Sequence, residues 1–374
     1  MAKSKFLKKL DKINYESIIY ILGIAIVLIF IINLFFAMSL TSVLKQKIAE
    51  AEEAAKPANL ELTIITTQCQ DCFNINSVIE GIKSENVNVT KEETLDVGDA
   101  SQLIQDYNIE RLPTVIVKGE LNKTNLDSTL TAVGDALVFT SQTPPYYDVS
   151  LSRVKGLIVA TVINASGCGS CTDVAPLLDE LKSNGIIIAR ETTLTEEEAA
   201  GLIETYNIQA LPSLILSRDA SEYQLLVQNW PALGTIEQDG NFVLRDIPPP
   251  YKNTTTGAIE GLVTLTNVID SSCTACYNVD GYKPIIENFG VYLVNETTFD
   301  VTTQEGLAYA NTNNITLVPT IVLSSDAKKY QRFYDVFRRV SQETKSGDLV
   351  FTAVEDIGTY KNIQTGEIIE QQEA

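Results

Sequence analysis

Histidine is absent from this chain of 374 residues. Without histidine the chain can contain neither a Cys-His nucleophile pair nor a Ser-His-Asp triad, and no metal site can use an imidazole ligand. Basic residues are also scarce, since 28 lysines and arginines stand against 48 aspartates and glutamates, a formal net charge of −20. A nucleic acid is therefore not an expected partner, because phosphate binding needs a basic surface. Any chemistry must come from carboxylates, hydroxyls or the six cysteines.

The N-terminal part contains a long run without charged residues, from Ser17 to Leu40. At about 1.5 Å per helical residue, this run is long enough to cross a hydrocarbon core of about 30 Å. A cleaved signal peptide would have a shorter apolar region of about 7–15 residues. Lysines are frequent in residues 1–16, which predicts a cytoplasmic N-terminus and an extracytoplasmic remainder. The run Ser17–Leu40 is thus predicted to anchor the chain in the cell membrane as a single transmembrane helix.

Three copies of one pattern follow the predicted anchor, after residues 41–57, whose alanines, glutamates and lysines predict a short helical stalk. Each copy has a β-rich run, a Cys-X-X-Cys motif and, further on, a Leu-Pro or Val-Pro step before another β-rich run. The motifs are Cys69/Cys72, Cys168/Cys171 and Cys273/Cys276. Neighbouring prolines at 144–145 and 248–250 mark the copy ends. We therefore predict three domains, at 58–149, 150–252 and 253–374.

Within a copy the predicted order of elements is strand, Cys-X-X-Cys, helix, strand, helix, proline, strand and strand. In the second copy, apolar residues recur at helical spacing directly after the motif, at Val174, Leu177, Leu178 and Leu181. This spacing predicts that the motif opens an amphipathic helix.

The cysteine pairs have three candidate roles. A structural staple that closes so short a loop would stabilise the fold by only about 2 kcal/mol. Zinc needs four ligands, and three pairs cannot all be combined two by two, so no metal ligands are predicted. No cofactor-binding residues are predicted either. A redox pair fits the spacing, because a helix N-terminus favours the thiolate of the first cysteine and the second cysteine can resolve a mixed disulfide.

With a Cys-X-X-Cys after the first strand and an X-Pro step before a later strand, each copy resembles a thioredoxin-like domain. The tandem layout is similar to that of protein disulfide isomerases, and the resemblance covers roughly residues 58–374. It implies an α/β fold in which a central mixed sheet is flanked by helices, repeated three times after the N-terminal transmembrane helix. It also implies that Pro113, Pro212 and Pro319 follow cis peptide bonds and shape a substrate groove beside the cysteines.

The chain departs from the family pattern at two positions in every copy. The tryptophan that usually precedes the first cysteine is replaced by Gln68, Gly167 and Ser272. The buried carboxylate that assists proton transfer would fall on Thr63, Val162 and Asn267, none of which can do that work. Asp71 lies between the first two cysteines and disfavours a thiolate there, so the first pair is predicted to be the least reactive. Cys168 is predicted to be the best nucleophile.

The expected function is thiol–disulfide exchange on exported proteins, whose thiols and disulfides would be the partners. The first cysteine of each pair would attack and the second would resolve, in oxidation, reduction or isomerisation. Electrons from the cytoplasm would have to arrive through a separate membrane redox partner. The rival hypothesis is a non-catalytic cell-surface scaffold or binding protein whose thioredoxin-like domains hold permanent disulfides.

Overall fold

The structure, a computed structural model, describes residues 15–370. The predicted cytoplasmic segment 1–16 lies almost wholly outside the described residues. The chain divides into two compact units, Met1–Gln68 with Asn74–Gln142 and Cys69–Phe73 with Thr143–Ala374. The first unit contains the N-terminal helix and most of the first copy, and the second unit contains the other two copies.

Helix α1 runs without a break from Tyr15 to Ala54. The predicted span and most of the predicted stalk are therefore one continuous helix, because alanine, glutamate and lysine favour the helical conformation. From Ile18 to Glu53 this helix is long and apolar enough to cross a membrane, with a mean hydropathy of 3.0 in its apolar window. Membrane spans and signal sequences both share these properties.

The first unit contains a mixed sheet with two short helices. Its elements are β1 (Ala58–Thr66), α2 (Asn76–Ser84), β2 (Val87–Asp96), α3 (Ser101–Asp106), β3 (Arg111–Leu112), β4 (Thr114–Gly119), β5 (Thr131–Val133) and β6 (Ala136–Val138). The strand order is β2-β1-β4-β6-β5, with β1 and β2 parallel and the remaining pairs antiparallel. Strand β4 is buried from Thr114 to Val117 because it lies inside the sheet and is apolar on both faces.

The second unit begins with a short antiparallel hairpin and continues into the second copy. The hairpin strands are β7 (Tyr146–Asp148) and β8 (Arg153–Lys155). The second copy consists of β9 (Ile158–Ile163), α4 (Ala175–Ser183), β10 (Ile188–Leu194), α5 (Ala200–Thr205), β11 (Ala210–Leu211), β12 (Ser213–Leu216), α6 (Gln224–Asn229), β13 (Gly234–Ile236), β14 (Phe242–Leu244), β15 (Tyr251–Asn253) and β16 (Ile259–Glu260). Its main sheet has the order β10-β9-β12-β14-β13, and β11 forms a small sheet with the hairpin β15–β16.

The third copy repeats this arrangement. Its elements are β17 (Val263–Ile269), α7 (Tyr282–Asn288), β18 (Leu293–Asp300), α8 (Gln304–Thr312), β19 (Leu317–Val318), β20 (Thr320–Leu323), α9 (Gln331–Phe337), β21 (Ser341–Glu343), β22 (Leu349–Phe351), β23 (Tyr360–Asn362) and β24 (Ile368–Ile369). The main sheet has the order β18-β17-β20-β22-β21, and β19 pairs with the hairpin β23–β24. The strand order is thus the same in all three main sheets.

Apolar clusters cover both faces of the main sheets in the second and third copies. In the second copy the cluster on one face is centred on Trp230, which is fully buried and contacts Phe242 edge to face at 5.6 Å between ring centroids. Helix α6 and the 3-10 turn that contains Trp230 occupy a connection for which the sequence indicated no regular element.

The predicted fold class is confirmed. In each copy a parallel pair of strands at one edge continues into three antiparallel strands, and helices accompany this mixed sheet, which is the thioredoxin-like arrangement. One long apolar helix precedes the three copies. The copies match even in backbone detail. An asparagine with positive φ (49°, 49° and 56°) closes the second helix of each copy, at Asn108, Asn207 and Asn314. Asparagine tolerates this left-handed conformation, which ends a helix.

Candidate active site: three disulfide turns

All six cysteines are oxidised, each with the other member of its own motif. The disulfides are Cys69–Cys72, Cys168–Cys171 and Cys273–Cys276. The two Cα atoms of a pair are 5.4 or 5.5 Å apart, a separation typical of disulfides. The structure therefore joins the predicted pairs within the copies, as both the redox and the staple hypotheses require.

The prediction that the motif itself opens a helix is wrong, because each helix begins further along the chain. Helix α2 starts at Asn76 and α4 at Ala175, while a 3-10 turn over Val279–Gly281 precedes α7. An Asn or Asp side chain accepts the N–H at each of these starts: Asn74 from Asn76, Asp173 from Ala175 and Asn278 from Asp280. Such Asx turns fix the helix start after the cysteines. The helix dipole acts mainly over the first turn, so it gives less support to a thiolate than expected.

A backbone hydrogen bond ties each disulfide turn to the residue just before the hairpin that follows the main sheet of that copy in sequence. The residue after the second cysteine donates its N–H to Pro145 O (from Phe73, 2.7 Å), Pro250 O (from Thr172, 2.9 Å) or Thr359 O (from Tyr277, 3.0 Å). The proline-rich segments at 144–145 and 248–250 thus provide acceptors for the cysteine turns.

The peptide bonds before Pro113, Pro212 and Pro319 are cis. In the second copy the residue after the proline, Ser213, pairs with Ile163 at the end of the strand that leads to Cys168. The third copy has the equivalent pair, Thr320 with Val268. In both copies the cis proline and the disulfide turn therefore lie at the same end of the same sheet. The role of these prolines in shaping a groove stays a prediction.

The first cysteines differ in their exposure to solvent. Cys69 and Cys168 are partly exposed, whereas Cys273 is buried, with 7% of its surface accessible. The Sγ of Cys168 also lies 3.8 Å from the hydroxyl of Ser170, which can donate to a thiolate. The middle pair thus combines exposure with a hydroxyl neighbour. The ranking of Cys168 as the best nucleophile stays a prediction.

The position of the family's buried carboxylate holds no acid in any copy. In the third copy it holds Asn267, which is 4% exposed and donates to Glu296 at 2.9 Å. A buried acid occurs instead at Asp270, closer to Cys273, where the ammonium of Lys361 lies 2.6 Å away and Ser272 also donates to the carboxylate. Burial opposes the ionised form, but these hydrogen bonds outweigh it and keep the pKa of Asp270 below its ordinary value.

Sequence reasoning missed Asp270 and its lysine partner. The available signal was the Tyr-Lys-Asn triplet, which occurs at Tyr251–Asn253 and again at Tyr360–Asn362, near the ends of the second and third copies. The triplet is too distant from the cysteines along the chain for spacing alone to connect the two.

No protein-family model and no curated protein matches the chain. Similar solved structures include a protein disulfide oxidoreductase from Aeropyrum pernix K1, at 14% identity and a TM-score of 0.14, with 44% of this chain and 78% of that one covered. ERdj5 form II is similar at 14% identity and a TM-score of 0.14, with 77% and 39% covered. Human ERp44 is similar at 12% identity and a TM-score of 0.14, with 77% and 87% covered. Values this low establish neither a function nor a partner for the chain.

Proposed function

We propose that the chain is a membrane-anchored thiol–disulfide oxidoreductase or isomerase that acts on exported proteins through its three Cys-X-X-Cys pairs. The observation that supports this proposal best is the location of a Cys-X-X-Cys disulfide and a cis X-Pro bond at one end of the same sheet, in both the second and the third copy. An extended substrate segment beside the proline would present its sulfur to the first cysteine of the pair.

The exchange conserves electrons between the pair and the substrate. A substrate thiolate attacks the Sγ of Cys168, the Cys168–Cys171 bond breaks, and Cys171 leaves as a thiolate. A second substrate thiolate then attacks the substrate sulfur of this mixed disulfide and releases Cys168. The substrate dithiol has lost two electrons and the protein pair has gained them. In the reverse direction Cys168 attacks a substrate disulfide and Cys171 resolves the intermediate.

The cellular setting is part of the proposal. Helix α1 would anchor the chain through Ser17–Leu40, and the lysine-rich segment 1–16 would remain in the cytoplasm by the positive-inside rule. The three copies would then lie outside the cytoplasm, where disulfides persist. A second membrane protein would exchange electrons with the pairs.

A trapping experiment tests the catalytic proposal on the full chain in detergent micelles. Serine replaces the cysteines of the first and third pairs, and Cys171→Ser removes the resolving thiol. A peptide with one internal disulfide is added to the reduced protein, and a mixed disulfide on Cys168 is expected by mass spectrometry. The matched control carries Cys168→Ser as well and should form no adduct. If Cys168 reacts with iodoacetamide but forms no adduct with the peptide, the scaffold hypothesis replaces the catalytic one.

A further inference from the structure

A lysine from the hairpin that ends the second copy reaches the disulfide turn of that copy. The Nζ of Lys252 lies 3.2 Å from the carbonyl oxygen of Ser166, which closely precedes Cys168. The same ammonium forms an ion pair with Glu196 at 2.7 Å, and the lysine side chain is only 18% exposed. An ammonium has three N–H donors, and these two contacts use two of them.

The third copy has the equivalent lysine. Lys361 donates to Ser272, the residue directly before Cys273, at 3.2 Å, and it forms an ion pair with Asp270 at 2.6 Å. The lysine side chain is 21% exposed and that of Asp270 is 4% exposed. Both lysines therefore donate to a serine oxygen just before the first cysteine, a backbone carbonyl at Ser166 and a hydroxyl at Ser272. Their acidic partners come from different parts of the copy.

Strand register places both lysines beside the cis prolines. Lys252 pairs with Leu211, the residue before Pro212, in the small sheet of the second copy. Lys361 pairs with Val318 before Pro319 in the same way. The register and the hydrogen bonds are independent constraints, and each brings the lysine to the end of the sheet where the cysteines lie.

Building on the proposed function, we propose that Lys252 and Lys361 are positioning residues that raise the reactivity of the first cysteine in the second and third copies. They do so by placing a fixed positive charge next to the turn that carries Cys168 or Cys273. A nearby cation favours the thiolate, which is the nucleophile in exchange. The lysines thereby take over part of the role that the displaced helix N-terminus does not fill.

The first copy lacks the lysine of the Tyr-Lys-Asn triplet. The triplet is replaced by Tyr-Tyr-Asp, so Tyr147 stands where the other copies have lysine. The carboxylate of Asp71 adds a negative charge between the cysteines of that copy. The reactivity of the first cysteine should therefore differ among the pairs. The middle pair has a lysine and a partly exposed first cysteine, and the third has a lysine but a buried first cysteine. The first pair has no such lysine and has a charged residue between its cysteines.

The test measures how fast iodoacetamide alkylates Cys168 as a function of pH, in the full chain that keeps Cys168 as its only cysteine. Lys252→Met should slow alkylation at pH 7 by about three- to tenfold, because the ion pair with Glu196 already offsets part of the charge. The rate at high pH should stay unchanged, because the thiol is then fully ionised in both proteins. Lys252→Arg should keep most of the rate. Lys182→Met, which removes an ion pair with Glu191 in the same copy, is the matched control and should have no effect.

If Lys252→Met disturbs folding, a second variant that adds a lysine to the first copy still tests the proposal. Tyr147→Lys should raise the alkylation rate of Cys69 at pH 7 when Cys69 is the only cysteine. Equal rates for Lys252→Met and the parent chain across the pH range would overturn the proposal, as would an unchanged Cys69 rate in Tyr147→Lys. Alkylation needs no disulfide substrate, so these failures are distinct from the absence of a peptide adduct, which overturns the proposed function instead.

Discussion

A cluster of tyrosine, glutamate and lysine attaches the hairpin β7–β8 to the second copy. Tyr146 donates its hydroxyl to one oxygen of Glu222, and the ammonium of Lys155 lies 2.5 Å from the other. The side chains of Lys155 and Glu222 are 21% and 15% exposed. This ion pair is therefore more shielded from water than an ordinary surface pair.

The same cluster recurs where the hairpin β15–β16 meets the third copy, but with the charges exchanged. The carboxylate is now Glu260 on the hairpin, which accepts from Tyr251 at 3.0 Å and lies 2.6 Å from the ammonium of Lys329. Lys329 lies three residues after Asp326, and Glu222 lies three residues after Asp219, so the two residues hold matching positions in the third and second copies. One cluster thus has its lysine on the hairpin and the other has its glutamate there. We therefore expect that lysine and glutamate can be exchanged at the first cluster.

Single charge reversals should loosen the hairpin, and the double reversal should restore it. Lys155→Glu places two carboxylates together, and Glu222→Lys places two ammonium groups together. Breaking a buried ion pair costs about 3–5 kcal/mol and an exposed one about 0–1 kcal/mol. At the observed exposure we expect about 2–3 kcal/mol for each single reversal. The double variant recreates the arrangement of Tyr251, Glu260 and Lys329, so its loss should stay below about 1 kcal/mol.

Hydrogen exchange of the backbone amides in 146–155 measures this attachment locally. A loss of about 2–3 kcal/mol corresponds to exchange that is about 30- to 150-fold faster. Lys182→Glu serves as the control, because its ion pair with Glu191 is 41% and 44% exposed and should contribute below about 1 kcal/mol. Unchanged exchange in both single variants, or a double variant as fast as the faster single one, would refute this reasoning.

Three further predictions concern single residues. The pKa of Asp270 is lowered in the folded chain, so the ionised carboxylate stabilises the fold above its unfolded pKa of about 3.9, and this stabilisation is lost as the pH falls. The melting temperature of the parent chain should therefore exceed that of Asp270→Asn at pH 6 and approach it below about pH 3. Asp71→Asn removes a negative charge beside Cys69 and should raise its alkylation rate at pH 7 by about two- to fivefold, whereas an unchanged rate would contradict the electrostatic ranking. Trp230→Ala empties a fully buried site and should destabilise the second copy by about 3–5 kcal/mol in urea unfolding, with a loss below about 1 kcal/mol as the contrary result.

The sequence was sufficient to predict the repeat and the cysteine pairing, because both depend on local signals that occur three times. The fold class followed from the family resemblance that these signals carry. The strands are β-rich runs, the motifs have fixed spacing, and the X-Pro steps recur at matching positions. The helix starts were misplaced because apolar periodicity identifies a helix but not its first residue. Here Asn74, Asp173 and Asn278 decide where each helix begins.

The remaining parts of the site depend on contacts between distant segments. The hairpin strands contain two or three residues each, too few for a periodic signal, and the predicted boundary between residues 252 and 253 falls inside β15. Lys361 contacts Asp270 although the two residues are 91 positions apart in the sequence. The register of the hairpin with the cis-proline strand and the hydrogen bonds of the two lysines show that these side chains share one end of the sheet.

The reduction potential of the middle pair decides whether this chain exchanges disulfides. The full chain with serine in place of the other four cysteines is equilibrated in a series of dithiol and disulfide buffers, and the reduced fraction of Cys168 and Cys171 is measured by alkylation and mass spectrometry. We expect a midpoint above about −300 mV, in the range of exchanging pairs. A pair that stays oxidised well below about −300 mV would be a structural disulfide, and that result would contradict the claim that this chain exchanges disulfides.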